Sequence, residues 1–280
     1  MRRKISTLGF LAIVCVSSLQ SLAQLNREQK VDVGGYRVFT SQAGSGEPVV
    51  VFEAGLGEDT STWDRVLPKI AQFSSTLAYD RAGLGKSDSS PNPKSVEQMV
   101  KELHSVLNAA RVAAPYILVG HSLGGAVVQL FAHVYPDEVA GLVLVDPEDG
   151  RLLDRLQKRL SKEEWAAREK TLAQMMVGAS PAQKAEIESS RSSGEALAAA
   201  FPVPDIPVVL LTGTLKDPSF PGNPTEQDLK RELHEEFLKA VPRGEHVLVP
   251  NSRHYIQEDS PQLVIDAVQK VVNESRKMTQ

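Results

Sequence analysis

The stretch ILVGHSLGG, Ile117–Gly125, decides how the rest of the chain is read. An apolar run that reads as a buried strand ends at Gly120. A second run, AVVQLFAHV, starts at Ala126 with the length and all-round apolar character of a buried helix. Between them, Gly120-His121-Ser122-Leu123-Gly124 fits the pattern G-x-S-x-G. A nucleophilic serine must stand clear of the sheet on a sharp turn, and small residues two before and two after it let strand and helix approach closely enough. The helix start behind it supplies backbone N–H groups and a partial positive charge for a developing oxyanion. Ser122 is the candidate nucleophile, and the Leu123 N–H is the first candidate oxyanion donor.

Working outward, apolar runs alternate with helix-like segments. KVDVGGYRVFT reads as a hairpin turning at Gly34-Gly35, and PVVVFEAG, STLAYDRAG, PYILVG and VAGLVLVD read as strands. WDRVLPKIAQF reads as a short helix. SVEQMVKELHSVLNAARV places Val96, Met99, Val100, Leu103, Val106 and Leu107 at helical spacing. Residues 149–203 then contain charged, Ala-rich helical segments and no strand run. Alternation resumes with IPVVLLTG, TEQDLKRELHEEFLKAV, EHVLVP and PQLVIDAVQKVVNES. The expected fold class is α/β: a mostly parallel sheet with helices on both faces and a small helical cap inserted over its carboxyl edge. The insertion is too short to carry much core of its own.

A serine nucleophile needs a base. Of the six histidines, His104 and His234 lie in charged amphipathic helices and read as surface residues. His121 adjoins Ser122 and shapes the turn, His133 reads as a core histidine, and His246 begins the last strand. His254, in VPNSRHYIQEDSP, follows that strand and opens on the same sheet edge as Ser122, so it is the candidate base. The orienting acid should fall between them in chain order. Asp217 follows the penultimate strand and is preferred. Asp146, at the end of LVLVD, is the alternative, with Glu148 and Asp149 behind it. A second oxyanion donor is expected from the Leu56 N–H in Ala54-Gly55-Leu56-Gly57.

Four segments together, EAGLGEDTSTW, DRAGLGKSD, GHSLGG and NSRHYIQEDSP, make the sequence resemble the α/β-hydrolase superfamily over residues 31–275. Two positions depart from that pattern. Ala54-Gly55 stands where family members often carry His-Gly, and Asp217 lies four residues after Gly213 where the family acid usually lies three after a strand-end glycine. The extra residue keeps Asp146 in contention, since some members place their acid after the earlier strand. The resemblance implies a serine hydrolase of esters, thioesters, lactones or amides, carboxylesterase-like, acting through an acyl-enzyme at Ser122. Relatives that open epoxides or remove halide use an aspartate nucleophile, which Ser122 is not. Cofactor-free perhydrolase or haloperoxidase chemistry shares the same residues. A ligand-binding protein or receptor on the same scaffold is the reading from a different class.

The first residues have another purpose. MRRK, LGFLAIVCVSSL and SLA have the basic, apolar and small-residue regions of a secretory signal, so residues 1–23 are expected to be removed after Ala23 and the domain to span 24–280. That places the protein in the periplasm or outside the cell, with no stable membrane insertion. Cleavage takes away Cys15, the only cysteine, leaving neither disulfide nor thiol nucleophile. The net charge of −4 and the lack of a basic run give no footprint for nucleic acid. No metal or organic cofactor is expected, and the partner is a small acyl substrate. Trp165, Leu172, Met175, Met176 and Phe201 are the cap residues whose character would suit an acyl or aromatic pocket.

Overall fold

The computed structural model describes residues 27–192, 203–215 and 224–278. The segment expected to be an amino-terminal signal, Phe201 and Asp217 lie outside the described residues. Eight strands form one sheet in the order β1-β2-β4-β3-β5-β6-β7-β8. β1 (Arg27–Asp32) and β2 (Arg37–Ala43) are the expected hairpin, and the Asp32 carboxylate takes the Gly34 and Gly35 N–H groups at 2.8 and 3.1 Å. β2 runs antiparallel to β4 (Thr76–Tyr79). From there the neighbours are parallel: β3 (Val49–Glu53), β5 (Tyr116–His121), β6 (Val139–Val145), β7 (Val208–Gly213) and β8 (Gly244–Val249).

The strands are apolar on both sides because both faces are covered. On β5, Leu118 packs into one core with Leu103 and Leu107 of α2 (Val96–Ala109) and Phe131 of α3 (Leu123–Val134). Its neighbours Ile117 and Val119 enter a second core with Ile70 of α1 (Leu67–Ile70). Each such fully buried side chain contributes about 1.5–3 kcal/mol. The segment read as one helix near Trp63 is instead a 3-10 turn, Thr60–Trp63, followed by the single turn of α1, with Pro68 near the start of that helix.

The insertion supplies α4 (Leu152–Arg159), α5 (Lys162–Met175) and α6 (Pro181–Ser192) between β6 and β7. Among its described residues, Leu156 is the one fully buried hydrocarbon side chain. The cap is instead held to the domain by charge. Arg155 pairs with Glu236 at 2.7 Å and Arg168 with Glu226 at 3.1 Å, both acids on α7 (Pro224–Lys239). A cap without a core of its own must borrow its order from the domain beneath. The chain closes with α8 (Ile256–Asp259) and α9 (Pro261–Met278).

Gly124, in the first turn of α3, sets how closely that helix crosses β3. A methyl group there would sit 2.3 Å from the Glu53 carbonyl and 2.5 Å from that of Ala54. Gly124→Ala is expected to force this strand end away, costing about 1–3 kcal/mol. Calorimetry would report the lower melting temperature, and the same shift would lower activity.

Candidate active site

The carboxyl ends of β3, β5, β6 and β8 converge on one cavity of about 250 Å³, lined by Leu56, Ser122, Glu148 and His254 among others. Ser122 sits between β5 and α3 with φ 50° and ψ −117°. That backbone is sparsely populated for a residue with a Cβ and costs about 1–3 kcal/mol. Its side chain makes no capping bond to α3, so the hydroxyl is not committed to holding the helix.

His254 Nδ1 lies 2.6 Å from Asp146 Oδ2. Asp146 also has a positive φ, 45°, and its carboxylate is fully engaged. Oδ1 accepts the Gly213 N–H at 3.3 Å, and Oδ2 accepts both His254 and the ammonium of Lys230, the latter at 2.6 Å. The Nδ1–H tautomer follows from this partner, which leaves the Nε2 lone pair as the ring's basic site. With Nδ1 protonated, the Lys230 Nζ at 3.2 Å is a close charge and not a hydrogen-bond donor to the ring. The preferred acid, Asp217, lies outside the described residues, and it is the alternative, Asp146, that the structure brings to His254.

Reaching Asp146 requires the His254 loop, two strands away, to pass over the end of β7. Gly213 permits it: a Cβ at that position would meet the Arg253 carbonyl oxygen at 2.1 Å. A side chain there would block the crossing.

The charges follow from burial and neighbours. Burial by itself would raise the Asp146 carboxyl, but the Lys230 ammonium and then the His254 hydrogen bond outweigh it and hold it well below the ordinary range. Burial first, and the Lys230 charge second, push His254 down to about 4 against the opposing pull of Asp146. The ring is therefore neutral, the form a base requires, well into acid. A Lys230→Met variant should let His254 rise toward its ordinary value. Because the base must be unprotonated, the acidic limb of kcat/KM, near pH 4 in the wild type, should move up by about one pH unit. An unmoved limb in a pH–rate profile would contradict this role for Lys230.

Around Leu56, the Gly55 N–H donates to Glu58 Oε2 and the Gly57 N–H to Glu186 Oε2, both at 2.8 Å. The N–H groups of Leu56 and Leu123, the two expected oxyanion donors, make no hydrogen bond among the described residues. His121, fully buried, ties these parts together. Nδ1 is 3.1 Å from Glu58 Oε2 and Nε2 is 3.1 Å from the His254 carbonyl.

Two histidines differ from expectation. His234 is buried, with Nδ1 2.7 Å from Thr212 Oγ1 and Nε2 donating to the Pro147 carbonyl at 2.9 Å. It faces inward because α7 turns a polar face, Glu226, Lys230 and His234, toward the site. His133, read as core, is exposed near the end of α3. Of the cap residues expected near a pocket, Leu172 lines the cavity. Trp165 and Met176 are half-buried away from it, and Trp165 carries the Arg168 guanidinium 5.7 Å above its ring. The side chain of Met175 lies outside the described residues. The functional candidates missed in the sequence, Lys230, Glu58, Arg81 and Glu186, are all charged. Only Glu58 and Arg81 carried a signal, since both fall within the quoted motif segments.

One carboxyl in the cavity, that of Glu148, makes no side-chain hydrogen bond among the described residues. Glu148, two residues after Asp146, anchors the elbow through its backbone N–H to the Ser122 carbonyl at 2.9 Å. Burial pushes its side chain up to about 7 despite Lys230 and Arg168 nearby.

The sequence model of the Alpha/beta hydrolase family matches residues 50–267. The chain is 31% identical over 228 residues to the uncharacterized protein YqjL of Bacillus subtilis strain 168, covering 81% of this chain and 85% of that one. Among solved structures, the haloalkane dehalogenase DatA of Agrobacterium tumefaciens C58 superimposes with a TM-score of 0.65 at 17% identity, covering 89% of this chain and 97% of that one. A thermophilic esterase of Thermogutta terrifontis gives 0.59 at 20% identity, with 89% and 99% covered. At such identities these two likenesses speak for the fold alone.

Proposed function

The chain belongs to the alpha/beta hydrolase family, and from that premise we propose that it is an exported serine hydrolase, carboxylesterase-like, that cleaves a small ester, lactone, thioester or amide. The observation that carries this reading is the pairing of His254 with Asp146 at 2.6 Å on a cavity that Ser122 also lines. In the proposed cycle Ser122 Oγ attacks the acyl carbonyl while His254 Nε2 takes its proton. Asp146 fixes the imidazole tautomer and stabilises the imidazolium as it forms. The N–H groups of Leu56 and Leu123 stabilise the oxyanion, worth about 3–4 kcal/mol per well-placed donor. His254 then protonates the leaving group, and a water activated by the same ring releases the acid.

Ser122 also speaks against the reactions of the aspartate-nucleophile relatives. Epoxide opening and dehalogenation there pass through an ester to a carboxylate, which a hydroxyl cannot replace. The cavity of about 250 Å³ has an apolar wall, Leu152, Leu153, Leu172 and Ile187, which suits a short acyl chain. The lining also carries Glu148, Arg168 and Glu226. Export rests on the amino-terminal pattern of basic, apolar and small residues.

The test is a panel of p-nitrophenyl esters of increasing chain length, run beside lactone and peptide substrates. Turnover of short esters with a fall at long chains is expected. A panel without turnover, together with no labelling by a fluorophosphonate probe, would favour a ligand-binding protein on this scaffold.

A further inference from the structure

The oxyanion loop is held largely from outside itself. A peptide group is planar and trans, so fixing its carbonyl also fixes the N–H at its other end. The Leu56 N–H shares a peptide with the Gly55 carbonyl, and that carbonyl accepts Arg81 Nη2 at 2.5 Å. The next peptide is held by its N–H, on Gly57, which donates to Glu186 Oε2 at 2.8 Å. The two holders are themselves joined, since Arg81 Nε and Nη2 each lie 2.8 Å from a different oxygen of Glu186. Arg81 Nη1 reaches the Ala54 carbonyl at 2.7 Å and Glu53 Oε1 at 2.8 Å. Both side chains are almost wholly buried, 1% exposed for Arg81 and none for Glu186. Arg81 belongs to the domain, following β4. Glu186 belongs to the cap, on α6, and Gln183 of the same helix donates to the Gly57 carbonyl at 3.1 Å.

We propose that Glu186 is a positioning residue of the oxyanion loop, and that this loop is aimed at the reacting carbonyl only while cap helix α6 is docked. The inference rests on the acyl-transfer reading of Ser122. Lifting α6 would strip a buried arginine of one carboxylate and leave the Gly57 N–H without its acceptor, so the Leu56–Gly57 peptide would be free to turn, and the Gly55–Leu56 peptide would rest on a half-paired Arg81 and the Glu58 N–H, 3.3 Å from the Gly55 carbonyl. Neither group tolerates that in a dry setting. Cap closure and assembly of the oxyanion hole are thus a single event. A cap serving only as a substrate wall would lack this link, because wall residues change how tightly substrate binds and not where Leu56 points its N–H.

The experiment compares Glu186→Ala, Glu186→Gln and Gln183→Ala with the wild type, using p-nitrophenyl butyrate turnover and the rate of fluorophosphonate labelling. A misdirected donor costs catalysis and not ground-state binding, so Glu186→Ala should lower kcat about 10- to 100-fold with KM within about threefold. Labelling should slow in parallel. Glu186→Gln keeps an acceptor for the Gly57 N–H and should recover most of that loss. Should the alanine variant not fold, Gln183→Ala reads the same linkage from a half-buried position, with kcat down about threefold and KM unchanged. Wild-type kcat in the folded variants, a rise in KM alone, or equal losses for alanine and glutamine would overturn the inference. If the wild-type protein itself takes no fluorophosphonate label, the reading of Ser122 fails and the inference with it. If it labels and Glu186→Ala labels equally fast, only the inference fails.

Discussion

Replacing Ser122 by alanine is expected to lower kcat for a p-nitrophenyl ester by at least about a thousandfold, leaving a residue of catalysis from the oxyanion donors alone. The loss should be chemical and not structural. The Ser122 side chain makes no capping bond to α3, and alanine bears the same backbone strain as serine at this φ. The melting temperature should therefore stay close to that of the wild type. His254→Ala should cost a similar amount, and the double variant little more than either single one, because nucleophile and base act as one unit. Additive losses, or a Ser122→Ala enzyme near wild-type activity in the ester assay, would mean that some other group attacks the substrate.

Asp146→Asn is the second large effect, a fall in kcat of about a thousandfold or more. An amide in place of the carboxylate can present an N–H to His254 Nδ1 and so favour the tautomer whose Nε2 is already protonated and cannot act as a base. The substitution also leaves the Lys230 ammonium, 2.6 Å from Oδ2, without its counter-charge beside the imidazole. The first takes the lone pair off Nε2, and the second disfavours the imidazolium that must form as Ser122 gives up its proton. Asp217→Asn, by contrast, should keep activity within about threefold, since the Nδ1 site of His254 is already taken by Asp146. Assaying the two variants side by side separates the candidates. A large loss at Asp217 with little at Asp146 would reverse the assignment.

Why the sequence left this choice open is physical. Asp146 and Asp217 both follow strands that end on the edge where Ser122 stands, and chain order suits either. What distinguishes Asp146 is a crossing: the His254 loop must run over the end of β7, which depends on the missing Cβ of Gly213 lying under the Arg253 carbonyl. No local pattern announces that contact between residues forty apart. The strands, the elbow and the order of elements were legible because each depends on local periodicity and on turn residues. The charged residues were not. His234 read as part of a solvated helix face, and Lys230 on the same helix drew no notice, since charge in an amphipathic helix ordinarily points to water. Here α7 turns that face toward a polar site, and the ion pairs that justify it come from β6 and the cap. Glu186 is the extreme case, a glutamate in a charged, Ala-rich segment that proves fully buried because Arg81 waits beneath it. His133 erred in the opposite direction: α3 is apolar almost throughout, and the last turn nonetheless emerges into solvent.

The central claim, that an acyl group passes through Ser122, is most directly tested by trapping it. Wild-type protein mixed with p-nitrophenyl butyrate and quenched in acid early in turnover should gain the mass of one butyryl group. After trypsin digestion the group should lie on the peptide spanning residues 112–151, with fragmentation placing it on Ser122. The Asp146→Asn variant should accumulate it far more slowly, and Ser122→Ala not at all. A butyryl group on any other residue, or steady hydrolysis with no adduct even in a variant slowed at deacylation, would contradict the account.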